Sequence, residues 1–300
     1  MTGGDQADAG ALAPRRPDIA KLKAIGTRSI LQMTQQMAVS VGDHLRAWRQ
    51  RHHLSQLHCA LEADISQRHL SFLETGRARP SRDMVIHLAE RLNIPLRERN
   101  AALLAAGFAP AYSERDLDDP EMEAARSAVR AILKGHEPYP ALAIDRHWQL
   151  LHANAALGPL LAGVADAKLL EPPINVFRLS LHPDGLAPLI ENLSEWRDHL
   201  LHRLSRQIAA TRDDVLVRLR AELLAYGESQ TNAPGSASVL VPFRLKTAGG
   251  TLSFISTTTV FGTPRDVLLS ELAIEAFFPA DDATTQYLGK HRPRGSERED

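Results

Sequence analysis

The sequence predicts two domains, an all-α domain of five helices followed by an α+β domain in which helices pack on an antiparallel five-stranded sheet. Three observations lead to this prediction. Apolar residues recur at helical spacing through residues 41–112, and serines precede several of these runs. Apolar and polar residues alternate through much of residues 238–278, as they do in half-buried strands. The length of 300 residues exceeds what the helical domain requires, so a second domain is expected.

Composition places the domain boundaries. Residues 1–40 start with a polar, Pro/Gly-rich stretch and predict a disordered or loosely helical tail. Residues 41–112 form the helical domain, and the Pro- and charge-rich residues 113–120 form a linker. Residues 121–280 form the α+β domain, and the polar residues 281–300 predict a flexible C-terminal tail.

The helical domain begins with an amphipathic helix at Val41–His52. Ser55 caps a second helix, and Asp64 lies at a sharp turn that favours a residue tolerant of positive φ. Ser66 caps a third helix, which ends at Gly76. The spacing of two helices across so short a turn predicts a helix-turn-helix arrangement.

Two further helices complete this domain. Ser81 caps the fourth helix, and Pro95 opens the fifth, which stops at Gly107. These two helices are expected to support the preceding three.

The third helix has a polar face that suits nucleic acid. Gln67, Arg68 and Ser71 lie opposite its apolar residues, and Arg77 and Arg79 follow in a basic segment. A short helix that exposes Gln and Arg at its N-terminal end suits the major groove, because Arg pairs with guanine and Gln with adenine. The alternative is an ordinary helical hairpin with a solvated polar face.

The order of motifs in this domain favours a DNA-binding helix over an ordinary helical hairpin. It contains an amphipathic helix, SQ at a helix start, a three-residue turn, SQRHLSFLE and TGRARPS. This order resembles the xenobiotic-response-element (XRE) family of repressor-like DNA-binding domains. The resemblance implies that Gln56 contacts the phosphate backbone, that Gln67 and Arg68 read bases, and that Phe72 lies on or beside the groove face.

The resemblance also implies an internal ion pair between Arg49 and Glu74. The predicted DNA-binding residues are Gln56, Ser66, Gln67, Arg68, Ser71, Phe72, Arg77 and Arg79.

Charge and cysteine content agree with this interpretation. Residues 41–112 hold 10 Lys/Arg against 7 Asp/Glu, a balance of +3, whereas residues 113–300 hold 20 against 26, a balance of −6. The single cysteine, Cys59, rules out an intrachain disulfide framework. There is no signal peptide and no long apolar run, so a cytoplasmic location without membrane partners is expected, with nucleoid association when DNA is bound.

The α+β domain opens with a helix from Pro120 to Gly135. Ala141–Ile144 and Trp148–Ala153 follow as a hairpin-like pair of strands. Asn154 is expected to cap a helix directly after them. Strand, turn, strand and Asn-capped helix is the order in which a PAS-like sensor domain begins.

Helices and then strands complete the domain. Two long amphipathic helices begin near Ser194 and Asp213. Strands are predicted at Ser238–Lys246, Thr251–Phe261 and Leu269–Phe278. With the early pair they give five antiparallel strands, and the helices are expected across one face.

A second resemblance is narrower. It rests on HEPYPALAIDRHWQLLHANAA, NVFRLSLHPDG, EWRDHLL and ELAIEAFFPAD, in this order. These motifs look like the MmyB-like group of XRE regulators, which carry a PAS-like ligand-binding domain. With the helical domain, the resemblance covers about residues 41 to 288.

The resemblance implies a long apolar ligand, such as a fatty acid, held between sheet and helices. Asn175, Arg178 or His182 would meet a carboxylate, and aromatic and aliphatic side chains would line the cavity. The predicted ligand-binding residues are Asn175, Phe177, Arg178, His182, Trp196, Phe243, Phe254 and Ile255. Most Phe and Leu residues at such spacings are also explained as ordinary core.

The sequence therefore predicts a DNA-binding transcriptional regulator that acts as a homodimer on a near-palindromic double-stranded operator. No catalytic residue, metal or cofactor is expected beyond a bound fatty-acid-like ligand, because no activated nucleophile or metal-ligand spacing is present. Two alternatives stay open. The second domain either only dimerises or docks a protein, with a filled core, or it processes a ligand enzymatically.

Overall fold

The computed structural model describes residues 39–227 and 240–290. The chain divides into two compact units. Of the described residues, 39–94 and 98–110 form one unit, and 95–97, 111–227 and 240–290 form the other.

Within the described residues the first unit contains five helices, as predicted. They are α1 (Val41–Arg51), α2 (Gln56–Glu62), α3 (Gln67–Glu74), α4 (Arg82–Arg91) and α5 (Leu96–Ala105).

Serine starts four of these helices. In each case the serine hydroxyl oxygen accepts a hydrogen bond from a backbone N–H three residues on, which satisfies one free donor of the first turn. The four capping residues are Ser40, Ser55, Ser66 and Ser81. Asp64 has φ 53° and Gly76 has φ 71°, so both predicted turns are confirmed.

The helices of the second unit are α6 (Glu123–Gly135), α7 (Val176–Leu181), α8 (Leu193–Thr211), α9 (Asp214–Ala225), α10 (Val267–Glu271) and α11 (Asp282–Lys290). Short 3₁₀ turns at Pro120–Met122, Gly158–Leu161, Ala167–Leu170 and Ala187–Leu189 join them to the rest.

The strands of this unit are β1 (Ala141–Ile144), β2 (Leu150–Ala153), β3 (Phe243–Thr247), β4 (Gly250–Val260) and β5 (Ala273–Pro279). They form one five-stranded antiparallel sheet in the order β2-β1-β5-β4-β3. The predicted five-stranded sheet is therefore confirmed.

The expectation that helices cover one face of the sheet is wrong. Ala141 and Ala143 of β1 pack with Val129 and Leu133 of α6 on one face. The alternate residues of β1 belong to a larger core on the opposite face, which α7, α8 and α9 cover. All four residues of β1 are buried, because this strand has helices on both sides.

Asn154 does not cap a helix. It is buried, and its side-chain oxygen accepts from the backbone N–H of Ala141 at 3.0 Å. Its side-chain N–H groups donate to the carbonyls of Leu133, at 3.1 Å, and Tyr139, at 2.8 Å. Asn154 therefore joins the end of α6 to the start of β1, where backbone groups would otherwise lack partners.

Part of the expected C-terminal tail is helical. In α11, Leu288 is buried against the larger core, and the Thr284 hydroxyl accepts from the Ser253 N–H at 2.9 Å. Residues 1–38 and 291–300 lie outside the described residues, so the tails expected there stay predictions.

No helix in the described part of the chain is both long and apolar enough to cross a membrane.

Candidate functional site

Helix α3 presents its polar N-terminal end to solvent. The Ser66 hydroxyl accepts from the His69 N–H at 3.1 Å and fixes the first turn. Gln67 and Arg68 follow and are exposed, as are Arg77 and Arg79 beyond the helix. These side chains are free to reach a groove and its phosphates, which is the arrangement a recognition helix requires.

Phe72 lies beside Arg68 on this surface. The Arg68 guanidinium carbon is 5.3 Å from the centre of the Phe72 ring, and Phe72 and Ser71 are half-buried. A cation over an aromatic face is an attractive contact. The ring therefore restricts the orientation of Arg68 before any partner arrives.

The opposite side of α3 is held by a buried carboxylate. Glu74 accepts two hydrogen bonds from Arg49, at 2.6 and 2.9 Å, which confirms the predicted ion pair. It accepts a third from the Gln56 side chain at 2.8 Å, and Arg46 donates to its backbone carbonyl at 2.6 Å. Burial raises the pKa of Glu74, but these hydrogen bonds and the arginine charges outweigh burial and lower it.

Gln56 is therefore a structural residue as well as a predicted phosphate contact. Its side-chain nitrogen is bound to Glu74, and the residue is half-buried at the first position of α2. The Gln56–Glu74 bond ties α2 to α3 and so sets the position of the recognition helix.

The second unit contains an apolar cavity of about 90 Å³ between the sheet and helices α7 and α8. Leucine and aromatic side chains supply most of its wall, among them Leu160, Phe177, Leu179, Trp196, Leu200 and Phe243. The polar residues that line it are Ser180, Arg203, Ser256 and Glu275.

Trp148 forms one side of this cavity and has an unusual backbone. Its φ is 66°, a region that bulky residues rarely occupy and that costs about 1–3 kcal/mol. The indole stacks on Phe177, with ring centres 3.9 Å apart, and its N–H donates to the Gln207 side chain at 2.8 Å. The guanidinium carbon of Arg203 lies 4.5 Å from the ring centre. These contacts hold the indole in place.

Arg203 forms an ion pair with Glu275 at the same place. One guanidinium nitrogen donates to Glu275 at 3.1 Å, and another donates to both Glu275 and the Thr258 hydroxyl. Glu275 is 5% exposed and faces an apolar cavity from the middle of β5. The pairing compensates a carboxylate that would be costly to bury alone.

Two family comparisons match this architecture. Residues 125–290 match the MmyB-like transcription regulator ligand binding domain, and residues 45–99 match a helix-turn-helix family. The chain belongs to the MmyB-like transcription regulators. A comparison with curated proteins gives no match.

Only some of the predicted ligand-binding residues of this MmyB-like regulator line the cavity. Phe177, Trp196 and Phe243 line the cavity. Phe254 is fully buried behind Phe243, with ring centres 6.2 Å apart, and does not line it. Ile255 lies on the other face of the sheet, since successive residues of a strand point to opposite faces.

The three polar residues predicted to meet a carboxylate also do not line the cavity. Asn175 caps α7 and donates to the carbonyl of His147 at 2.8 Å. Arg178 is bound to Glu222 at 2.6 and 2.7 Å. His182 accepts a backbone N–H through Nδ1 at 3.0 Å. Each has a structural partner and none lines the cavity, so their contact with a ligand carboxylate stays a prediction.

Two charged residues that line the cavity, Arg203 and Glu275, are not among the predicted ligand-binding residues, although the sequence contains a pattern that indicates them. Arg203 continues the stripe of Trp196 and Leu200 at helical spacing on α8. Glu275 alternates with Phe277 on the cavity side of β5. This pattern is a charged residue at a position of α8, and another at a position of β5, where the spacing predicts an apolar, inward-facing residue.

Proposed function

We propose that this MmyB-like transcription regulator binds a near-palindromic operator as a homodimer and that an apolar, fatty-acid-like ligand in the second unit alters operator affinity. The observation that carries the proposal is the apolar cavity between sheet, α7 and α8. Buried apolar cavities with few polar groups are typical small-molecule sites. A cytoplasmic location follows from action on DNA.

The volume of the cavity limits what it holds without moving. Its 90 Å³ is less than the about 150 Å³ of an apolar cavity that binds benzene. A longer chain therefore has to displace part of the wall. Leu157 and Leu161 are half-buried wall residues in or beside a short 3₁₀ turn, and they are the side chains that can move most easily.

The cavity supports this function over its alternatives. A domain that serves only for dimerisation has no need of an internal space beside its core. An enzyme that processes the ligand would bring nucleophiles or general bases into the cavity. Ser180, Ser256 and Glu275 line the cavity, but Glu275 is bound to Arg203, and among the described residues no histidine, cysteine or lysine lines it.

Native mass spectrometry of freshly purified protein tests the proposal. A dimer that carries a reproducible small-molecule mass, absent after denaturation, is the expected result. Operator affinity should then change when the extracted ligand is added back to stripped protein. A protein that remains monomeric on operator DNA would refute the palindrome.

Filling the cavity should abolish the response to ligand. Leu200→Phe places a larger side chain in a wall that has little free space, so ligand affinity should fall at least about tenfold, which is 1.4 kcal/mol. Titration calorimetry with the extracted ligand measures the change. Val217→Phe is the matched control, because Val217 is 46% exposed on α9. Equal affinities in both variants would place the ligand elsewhere.

Arg68→Ala should reduce specific DNA binding. Loss of a bidentate contact to a base costs about 1–3 kcal/mol on the operator and leaves affinity for unrelated duplex DNA nearly unchanged. Fluorescence anisotropy with both duplexes, at one fixed salt concentration, measures this. A uniform loss on both would make Arg68 a phosphate contact instead.

A further inference from the structure

A shallow depression lies beside the apolar cavity and shares two residues with it. Trp148, Arg203, Arg206 and Gln207 line the depression, which has a volume of about 370 Å³. Trp148 and Arg203 also line the cavity. The indole and the guanidinium stacked on it therefore form the wall between the apolar interior and solvent.

The depression carries unbalanced positive charge. Arg206 is exposed and has no ion-pair partner among the described residues. Of the described residues that line the two spaces, Glu275 is the single carboxylate, and it is bound to Arg203. His199 lies one turn before Arg203. Burial and the charge of Arg203 lower the pKa of His199, so it adds no charge at neutral pH.

Glu275 has the chemistry of a ligand head group. It is a carboxylate at the edge of an apolar space, and it accepts from Arg203 and from the Thr258 hydroxyl at 2.8 Å. An incoming anion would find the same donors. Arg203 is 28% exposed along its side chain, so its guanidinium is accessible from the depression.

We propose that Arg203 and Arg206 bind the anionic head group of an amphiphilic ligand whose apolar part enters the cavity past Trp148, and that the charge of Glu275 opposes this binding. The proposal rests on the proposed function and assigns the residues that hold the head group. Because Glu275 is 5% exposed and stays paired, the head group shares Arg203 with it and takes its second cation from Arg206. Trp148 has to shift for the tail to pass, so binding breaks the contacts of its indole with Arg203 and Gln207.

Three probes with the same eight-carbon chain test the head group: octanoate, 1-octanol and monooctyl phosphate. Titration calorimetry of the full chain should show at least about tenfold tighter binding of octanoate than of 1-octanol, the equivalent of one charge-assisted hydrogen bond. Monooctyl phosphate separates the two anion types, since tighter binding than octanoate would indicate a phosphate-bearing ligand. Trp148 and Trp196 line the cavity, so tryptophan fluorescence should change with each bound probe.

Variants assign the effect to these residues. Arg206→Gln should weaken octanoate about fivefold and leave 1-octanol unchanged. Arg218→Gln is the matched control, because Arg218 is an exposed arginine on α9 that lines neither space, and it should change neither probe. Glu275→Gln should strengthen octanoate several-fold, because glutamine competes less well for Arg203. Unchanged binding of 1-octanol shows that each variant is folded.

The outcomes separate the two proposals. If 1-octanol binds as tightly as octanoate, and neither Arg206→Gln nor Glu275→Gln changes the ratio, the anion site is refuted while the apolar cavity stands. If no probe binds the wild-type protein or Leu160→Ala, which widens the cavity, the proposed ligand function fails and the anion site fails with it.

Discussion

Glu74→Gln is expected to destabilise the helix-turn-helix unit by about 3–5 kcal/mol, because it removes one partner of a buried ion pair and leaves Arg49 without its counter-charge. The Glu74 side chain is 0% exposed, and it joins α1, α2 and α3 through Arg49 and Gln56. Glutamine has the same shape, so the effect reports charge and hydrogen bonding. Operator affinity should fall with it, because the same contacts position α3.

Hydrogen exchange of peptides from α1 to α3 in the full chain measures this effect. Glu62→Gln is the control, since Glu62 is an exposed glutamate of the same unit whose ion-pair partner, His58, is also exposed. Its effect should stay below about 0.5 kcal/mol. Similar loss of protection in both variants would show that the Glu74 pair contributes no more than a surface charge.

The stability of the helix-turn-helix unit should depend on pH in a direction that the pKa of Glu74 determines. The pKa of Glu74 is lowered in the folded protein, so its contribution is fully present above the unfolded value of about 4.3. It is lost as the pH falls through the lower, folded value. The wild-type protein should therefore lose stability in this acid range more steeply than Glu74→Gln.

Asn154→Ala is expected to destabilise the sheet unit by about 2–4 kcal/mol. The change leaves the Ala141 N–H and the Tyr139 carbonyl without their side-chain partner, whereas the Leu133 carbonyl keeps its bond from the His136 N–H. Each unsatisfied buried group costs about 1–3 kcal/mol before relaxation and water access. The site connects the end of α6 to β1, so the loss should appear as faster hydrogen exchange in those two elements.

Asn154→Asp tests the reason for this effect. Aspartate has nearly the same volume and keeps the acceptor for the Ala141 N–H, but it places a carboxylate against the carbonyls of Leu133 and Tyr139. It should destabilise the unit at least as much as alanine at neutral pH and less at acid pH. Wild-type stability in Asn154→Asp would show that side-chain volume alone matters at this site.

Local chemistry explains what was predictable. Serine caps, the positive φ of Asp64 and the glycine that ends α3 depend on residues within a few positions of each other. The alternation of apolar residues likewise predicted the strands of the sheet. The Arg49–Glu74 pair came from a resemblance to a known family and was confirmed.

The ligand site was less predictable because it depends on how helices rotate against the sheet. Arg178 and Arg203 are both arginines on helices of the second unit, and the local sequence does not show which one reaches the cavity. The packed structure pairs Arg178 with Glu222 and puts Arg203 beside Glu275. Phe254 was placed on the wall by its aromatic character, yet the register of the sheet buries it behind Phe243.

The sequence by itself determined the two-domain order, the helix-turn-helix with its exposed Gln67 and Arg68, and the five antiparallel strands, because period and capping are local properties. Only the tertiary structure decided that helices cover both faces of the sheet, that Asn154 braces β1, and that Arg203 and Glu275 meet at an apolar cavity. The Ala141–Asn154 and Arg203–Glu275 contacts join residues 13 and 72 positions apart in the chain. Such contacts depend on how distant segments pack together, and a local sequence pattern does not predict that packing.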